Sequence, residues 1–260
     1  MTFLDEIFEL KRARVEQAKR QFRVSDSKFK IGENRPPHLL RQILQNQNRI
    51  NIIAEIKRAS PSKGIINDKI DVAEVAQMYE RGGARALSVL TEEDRFKGSL
   101  EDLKTARSVV NVPILRKDFI FDEFQIEEAR DAGADAVLLI AAMLDDQTLE
   151  KLYQFADRFG LDALVEVHTS EELERAKKLG AKIIGVNNRD LHSFKVSLDV
   201  SRSLIKHAPP DALMICESGL STREEILELR ELGFHGFLIG ETLMKSGDVK
   251  KTLEELTTKT

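Results

Sequence analysis

Eight short apolar segments alternate with amphipathic helical segments along this chain, and the alternation predicts a closed (β/α)8 barrel of the α/β class. The eight pairs lie within residues 51–260, a length typical of such barrels. No glycine-rich turn follows the first apolar segment, whereas an open nucleotide-binding sheet would normally carry one there.

The apolar segments have the length and the residue types of buried β-strands. They begin near Asn51, Ala84, Val112, Asp135, Asp162, Lys182, Ala212 and Gly236. Because helical patterns rather than tight turns separate them, consecutive strands are predicted to run parallel and to be joined by right-handed crossovers.

The segments between the strands carry helix signals at both ends. Thr169 and Thr222 each precede acidic residues, a pattern typical of helix N-caps. Glycines at Gly82-Gly83, Gly133, Gly180 and Gly233 follow the last helical residues, where glycine readily adopts the left-handed C-cap conformation.

Residues 1–47 precede the first strand, and we expect them to form an N-terminal helical extension of one domain that spans residues 1–260. The pattern predicts an amphipathic helix over about Phe3–Arg20, a polar linker, and a second helix opened by Pro36-Pro37. We expect this extension to cover one end of the barrel.

Composition narrows the functional classes. The 40 Lys and Arg residues oppose 44 Asp and Glu, for a net charge of −4, and no long basic block is present, so a nucleic-acid partner is not expected. The longest apolar run, Ala136–Leu144, is far shorter than the roughly 20 residues that cross a membrane. Cys216 is the single cysteine and excludes an intramolecular disulfide. The first residues do not read as a signal peptide, and we expect a cytoplasmic protein.

Charged and polar side chains follow six predicted strands at their carboxyl ends, where barrel enzymes place their active sites. They are Glu55-Ile56-Lys57, Arg116-Lys117-Asp118, Glu166-Val167-His168, Asn187-Asn188-Arg189-Asp190, Glu217-Ser218-Gly219 and Gly240-Glu241. Any one of them could be a structural ion pair at the rim. Lysines beside carboxylates at so many strand ends favour acid–base catalysis instead.

Glycines after strands seven and eight predict a phosphate site. Ser218-Gly219 and Gly240 would supply backbone N–H donors, with Lys57 and Ser60 reaching in from strand one; the alternative is a pair of ordinary turn glycines. The histidines lack paired ligand spacing, so no metal site is expected. They are His38, His168, His192, His207 and His235, and we interpret His168 as a surface residue that opens a loop.

The strand-end residues resemble the signature of the indole-3-glycerol phosphate synthase family. The most specific blocks are Ile53–Gly64 (IAEIKRASPSKG) and Ile184–Leu191 (IGVNNRDL). Further similar blocks follow in the family's order: Leu87–Glu92, Phe96–Ser99, Pro113–Phe119, Leu164–His168, Glu217–Gly219 and Phe237–Gly240.

The resemblance implies a lyase of tryptophan biosynthesis that acts on a small phosphorylated substrate without a metal or an organic cofactor. The family closes the ring of 1-(2-carboxyphenylamino)-1-deoxyribulose 5-phosphate to give indole-3-glycerol phosphate, with loss of CO2 and water. By position, Lys117 is the general acid and Glu166 the second acid–base group, with Glu55 and Asn187 in support. Lys57 is the other lysine at the mouth, and which lysine delivers which proton stays open.

Other positions are matched to binding. Arg189 is suited to the substrate carboxylate, and residues 58–64 resemble a mobile loop that closes over the substrate. The residues expected to carry catalysis are Glu55, Lys57, Lys117, Glu166, Asn187 and Ser218. Those expected to bind substrate are Ser60, Pro61, Phe96, Phe119, Arg189, Glu217, Gly219, Gly240 and Glu241. Leu138 and Leu191 are further candidates for the apolar wall.

Two positions depart from the family pattern. Glu241 stands where some members carry a small hydroxyl residue beside the phosphate, so either only its backbone N–H is used or phosphate affinity suffers. Some members place an aromatic residue in the first helix over the substrate ring, and here Ile7 and Phe8 are the nearest equivalents.

Three alternatives remain at this point. An isomerase resembling phosphoribosylanthranilate isomerase would use a catalytic cysteine, but Cys216 lies within predicted strand seven. A Schiff-base aldolase would need a lysine of lowered pKa. A barrel that binds a phosphometabolite without catalysis is the third. The resemblance implies a monomer and leaves contact with other tryptophan-pathway enzymes open.

Overall fold

The computed structural model describes residues 3–21, 35–191 and 193–257, and its centre is a closed barrel of parallel strands. Its strands β1 to β8 are Ile52–Ile56, Ala86–Leu90, Ile114–Lys117, Ala136–Ile140, Asp162–Val167, Ile183–Asn187, Leu213–Glu217 and Gly236–Ile239. Each strand pairs with its neighbours in the chain, and β1 pairs with β8 to close the barrel. The predicted (β/α)8 barrel and all eight of its strands are confirmed.

Helices cover the outside of the barrel. Helices α1 to α11 are Phe3–Gln21, Leu39–Gln45, Val72–Arg81, Leu100–Val109, Glu123–Asp131, Asp146–Arg158, Ser170–Leu179, Asp199–Leu204, Arg223–Glu231, Glu241–Met244 and Val249–Thr257. Helices α3 to α9 each connect two successive strands, and a small hairpin of Ala59–Ser60 with Gly64–Ile65 forms in the loop after β1. Among the described helices none is long and apolar enough to cross a membrane.

The predicted helix ends are also confirmed. Thr169 and Thr222 each accept a hydrogen bond from the backbone N–H three residues later, at 3.2 and 3.3 Å. The glycines that follow helices α3, α5, α7 and α9 all have positive φ, as a left-handed C-cap requires: Gly83, Gly133, Gly180 and Gly233.

Alternation along each strand decides which side chains reach the mouth. Residues such as Ile53, Leu115 and Leu164 belong to the buried cluster that fills the barrel interior. Side chains two residues apart on a strand share a face, so Glu55 and Lys117 also point inward, one layer closer to the carboxyl end. Their neighbours on the other face pack in a second core, between the barrel and the helices.

The N-terminal extension covers both ends of the barrel rather than the one end expected. Helix α1 lies at the mouth, where Lys11 Nζ bonds the Asp118 carboxylate at 2.7 Å. Helix α2 lies at the opposite end, where its Leu44 packs so closely that a Cβ on Gly236 would approach it to 2.6 Å. The two helices have different roles, because α2 covers the apolar interior at the bottom of the barrel and α1 adds a wall at its mouth. The expected linker, residues 22–34, lies outside the described residues.

Candidate active site at the barrel mouth

A pocket opens at the carboxyl ends of the strands, and it gathers most of the predicted site. All of the expected catalytic residues line it: Glu55, Lys57, Lys117, Glu166, Asn187 and Ser218. Five of the expected binding residues line it too: Ser60, Pro61, Phe96, Phe119 and Arg189. These side chains come from six different strand ends and the loops that follow them, so the barrel brings together residues far apart in sequence.

The remaining predicted residues lie beside or behind this pocket. Gly219 and Glu241 line an adjoining cavity, which shares Pro61 and Arg189 with the first. Neither Glu217 nor Gly240 is among the lining residues of these two cavities. They lie behind residues that line the pocket. Glu217 contacts Lys117, and a Cβ on Gly240 would come within 2.5 Å of the Glu55 carboxylate.

Lys117 is held between two carboxylates on the pocket floor. Its Nζ donates to Glu166 Oε2 at 2.8 Å and to Glu217 Oε2 at 2.7 Å. Both carboxylates are buried, and Gly185 leaves the space that Glu217 needs, because a Cβ there would lie 2.0 Å from Glu217 Oε1. The ammonium is thereby aimed into the pocket with little freedom to turn away.

Burial and charge act against each other in this cluster. Burial opposes the charge of Lys117, but Glu166, Glu217 and Glu55 outweigh it and raise the pKa of the ammonium. Burial likewise opposes the charge of Glu166, yet Lys117 and then His168 hold the pKa of that carboxyl at about 2. Burial raises the pKa of Glu217 to about 7, against the attraction of Lys117. The cluster therefore contains a charged acid, an ionised base and a carboxyl that titrates near neutral pH.

A second ion pair and an amide complete the polar wall. Lys57 Nζ donates to Glu55 Oε1 at 2.6 Å. Asn187 Nδ2 donates to Glu166 Oε1 at 3.1 Å, and its Oδ1 accepts the backbone N–H of Arg189 at 3.0 Å. Asn187 therefore orients the carboxylate that Lys117 contacts and also fixes the loop after β6.

The opposite wall of the pocket is apolar. The rings of Phe96 and Phe119 stand 6.2 Å apart between centroids, tilted by 42°. Ile7 is buried in the same cluster as Phe119, whereas Phe8 packs against Phe121. Ile7 therefore belongs to the apolar cluster behind this wall, and neither Ile7 nor Phe8 is among the residues that line the pocket. Leu138 and Leu191 join the wall as expected, with Leu90 and Ile140 in addition.

The end of the pocket near β7 and β8 contains the tight turn at Ser218-Gly219. Ser218 and Gly219 both adopt left-handed conformations, with φ of 64° and 85°. Arg189 stands nearby and donates to Ser62 Oγ at 3.2 Å. Glu241 does not face this end as a bare charge, since its carboxylate lies 2.6 Å from Lys245 Nζ and 3.8 Å from Lys63 Nζ.

Sequence reasoning misplaced His168. Its side chain is only 12% exposed and stands between Glu166 and Glu172, so the interpretation as a surface residue is wrong. The available signal was the spacing of two residues between Glu166, on β5, and His168, which directly follows this strand. Ser62 and Phe194 were also not singled out, although they line both cavities. His192 lies outside the described residues.

Two of the alternatives lack the group that they require. Cys216 is buried and contacts Asn188 and Ser201, and burial raises the pKa of its thiol to about 11, so it cannot serve an isomerase at the mouth. An aldolase would use Lys57 or Lys117 in the uncharged form, whereas Lys57 pairs with Glu55 and the carboxylates around Lys117 raise its pKa. Within the described part of the chain, no group of three or more His, Cys, Asp or Glu side chains is arranged to hold a metal ion.

Comparison with known proteins decides between the remaining readings. The family model for indole-3-glycerol phosphate synthase matches residues 4–256. The chain belongs to the indole-3-glycerol phosphate synthase family. It is therefore a lyase of tryptophan biosynthesis, in a family whose reaction is a decarboxylating ring closure.

Curated indole-3-glycerol phosphate synthases match over most of their length. The synthase from Carboxydothermus hydrogenoformans is 46% identical and aligns over 98% of this chain and 99% of its own. The synthase from Koribacter versatilis is 50% identical over 81% of each chain. The one from Legionella pneumophila is 44% identical over 87% of this chain and 92% of its own.

Solved structures of other barrel enzymes share the fold of this synthase family member. A thiamine phosphate pyrophosphorylase from Pyrococcus furiosus superposes with a TM-score of 0.61 at 20% identity, covering 84% of this chain and 95% of the other. A 3-hexulose-6-phosphate synthase from Salmonella typhimurium gives 0.62 at 13% identity, with 80% and 96% covered. At such identities the likeness extends to the fold alone.

Proposed function

We propose that this chain converts 1-(2-carboxyphenylamino)-1-deoxyribulose 5-phosphate to indole-3-glycerol phosphate, with Lys117 as the general acid. The observation that carries the proposal is the position of the Lys117 ammonium. It lies half-buried at the floor of the pocket, paired with Glu166 and Glu217, between the apolar wall and the turn at Ser218-Gly219. A substrate with an aromatic ring at one end and a phosphate at the other spans these regions with its ketone in between.

The first step forms a carbon–carbon bond. The ring carbon that bears the carboxylate attacks the ketone carbon, and the electron pair of the carbonyl moves onto oxygen. Lys117 gives its proton to that oxygen, which becomes a hydroxyl group, so that negative charge does not accumulate on it. Loss of CO2 then breaks the bond to the carboxylate, and its electron pair returns to the ring.

The last step eliminates water. A proton leaves either the nitrogen or the carbon that joins this nitrogen to the former ketone carbon. The hydroxyl group takes a proton from an acid and leaves as water. We assign the acid–base role to Glu166, because its carboxyl is held ionised by Lys117 and oriented by Asn187. Ionised at the start, it accepts a proton and can return it.

The two lysines are assigned different roles. Lys57 pairs with a single carboxylate, that of Glu55. It lies beside the end of β8, because a Cβ on Gly240 would be 3.1 Å from Lys57 Nζ. That position favours attraction of the phosphate, together with Ser60, Ser218 and Gly219. Arg189 is assigned to the substrate carboxylate and Glu241 to the phosphate through its backbone N–H alone, while Phe96, Phe119 and Pro61 hold the ring.

We extend the proposal to the molecule as a whole. Residues 1–260 form a single domain, in which the extension of residues 1–47 belongs to the barrel, since Lys11 and Leu44 pack against opposite ends of it. The protein works as a monomer in the cytoplasm without a metal or organic cofactor. Pull-down experiments with other enzymes of the tryptophan pathway test whether the protein contacts them.

The test is to add the carboxyphenylamino-deoxyribulose phosphate to the wild-type protein and to follow indole fluorescence. Fluorescence that grows in proportion to enzyme, and that is lost in Lys117→Met, supports the proposal. No signal, with tight substrate binding in calorimetry, would instead indicate a barrel that binds a phosphometabolite without catalysis. Neither signal nor binding would refute the proposed substrate.

A further inference from the structure

His168 stands between two carboxylates just outside the pocket. Its Nε2 lies 3.4 Å from Glu166 Oε1, and its Nδ1 lies 3.3 Å from Glu172 Oε2. Glu172 also accepts the backbone N–H of His168 at 2.7 Å, which fixes this loop against the first turn of α7. His168 is not among the residues that line the pocket, so any effect on the reaction passes through Glu166.

The surroundings determine the protonation of the ring. Ionised carboxylates accept hydrogen bonds and cannot donate them. Each ring nitrogen lies within 3.4 Å of such a carboxylate, so an unprotonated nitrogen would bring its lone pair close to a negative oxygen. Nε2 is buried and lies at ion-pair distance from Glu166 Oε1, although it is not aligned for a hydrogen bond. Both contacts favour a proton on each nitrogen, which makes the ring an imidazolium.

The charges of the cluster lead to the same conclusion. Four carboxylates, those of Glu55, Glu166, Glu172 and Glu217, stand in this cluster beside Lys57 and Lys117, so negative groups outnumber the ammonium groups. An imidazolium at His168 reduces that excess. Burial lowers the pKa of His168, but Glu172, Glu166 and Glu217 together raise it above its ordinary value.

We propose that His168 is a positioning residue for the ring-closure reaction, whose imidazolium holds the Glu166 carboxylate at the oxygen that Lys117 does not contact. This inference rests on the proposed function, in which Glu166 exchanges a proton with the reacting molecule. Lys117 gives up its own proton early in that reaction and ceases to balance Glu166. A second cation outside the pocket keeps the carboxylate oriented and ionised through this change.

The proposal predicts a defect in turnover rather than in binding. In His168→Leu, we expect kcat to fall about tenfold while KM changes little, because the acid–base step loses part of its usual contribution of about 10² or more. In His168→Gln, whose amide N–H takes the place of Nε2–H, we expect part of kcat to return. His235→Leu is the matched control, since His235 is half-buried at the other end of the barrel and accepts a hydrogen bond from Met214.

The pH profile separates charge from shape. His168 is charged below its pKa, so wild-type kcat should decline as pH rises through the value that NMR titration of the His168 ring gives. The decline that follows the His168 pKa should be absent in His168→Gln, whereas any change that follows the Glu217 carboxyl, with its pKa of about 7, should persist in both proteins. Glu166→Gln should lower the pKa of His168 in the same NMR titration, because the coupling of two charges is reciprocal.

The outcomes are distinct. An active wild type whose kcat and pH profile are unchanged by His168→Leu overturns this proposal alone. A His168 ring that NMR finds neutral at pH 7 overturns it too, and that measurement needs only the wild-type protein if the Leu variant does not fold. A wild type that makes no indole product refutes the proposed function and this inference with it.

Discussion

Replacing Lys117 with methionine removes the ammonium that stands between two buried carboxylates. Methionine retains most of the length of the side chain, so packing is largely kept and the charge is what changes. Glu166 and Glu217 have side chains only 3% and 1% exposed, and each loses a hydrogen bond of 2.7–2.8 Å. Breaking a buried ion pair by removing one partner typically costs about 3–5 kcal/mol.

The loss of unfolding free energy in Lys117→Met depends on pH, and the direction of this dependence follows from the pKa values of Glu166 and Glu217. In the wild type, Lys117 lowers the folded pKa of Glu166 to about 2, so this residue adds stability above its unfolded pKa. Without the ammonium, burial raises the folded pKa of both carboxyls. Each then loses stability as pH rises from its unfolded pKa through its folded pKa. The difference in unfolding free energy therefore grows with pH and is larger near pH 8 than near pH 5.

Two assays measure the two effects of this substitution. Urea unfolding at pH 5 and pH 8 gives the stability difference, and indole fluorescence gives turnover, which we expect to fall by about 10² to 10⁴. Lys57→Met is the control, because Lys57 pairs with one carboxylate and should give a smaller, less pH-dependent loss. Equal destabilisation at both pH values would refute the electrostatic reasoning, and retained turnover would refute the role of Lys117 as acid.

Three further predictions follow. Glu166→Gln should reduce turnover by about 10² or more while calorimetry still detects substrate binding; near-normal turnover would remove Glu166 from the acid–base role. Gly185→Ala should lower the unfolding free energy by about 1–3 kcal/mol, since its Cβ would lie 2.0 Å from Glu217 Oε1; an unchanged urea midpoint would mean that the carboxylate relocates freely. Glu241→Gln should lower the inhibition constant of inorganic phosphate, because it removes a negative charge beside Lys63; weaker inhibition would show that Glu241 holds the lysines in place.

Much of the fold could be predicted from the sequence because the relevant signals are local. Strand length, the period of apolar residues and the glycines that end helices are read within a few neighbouring residues. The parity of Ile53 and Glu55, or of Leu115 and Lys117, even predicts which side chains share a face. Closure of the sheet decides which side of the barrel this face occupies.

The position of the N-terminal extension could not be predicted from the sequence, because local signals do not show where a helix packs. Its helices are local and were predicted, but the sequence pattern carries no information about where a helix docks. Only the tertiary structure separates α1, tied to Asp118 at the mouth, from α2, which covers the bottom through Leu44. Docking depends on surfaces formed by residues more than 100 positions away, such as Asp118 for Lys11.

The sequence by itself determined the fold class, the family and the residue types at the mouth. Only the tertiary structure decided that Lys117 is shared by Glu166 and Glu217, and that His168 lies against Glu166 instead of in solvent. Periodicity describes one element at a time, whereas pKa values depend on distances and burial between elements. The chemistry of this site therefore rests on how far apart the strand ends lie when the barrel closes.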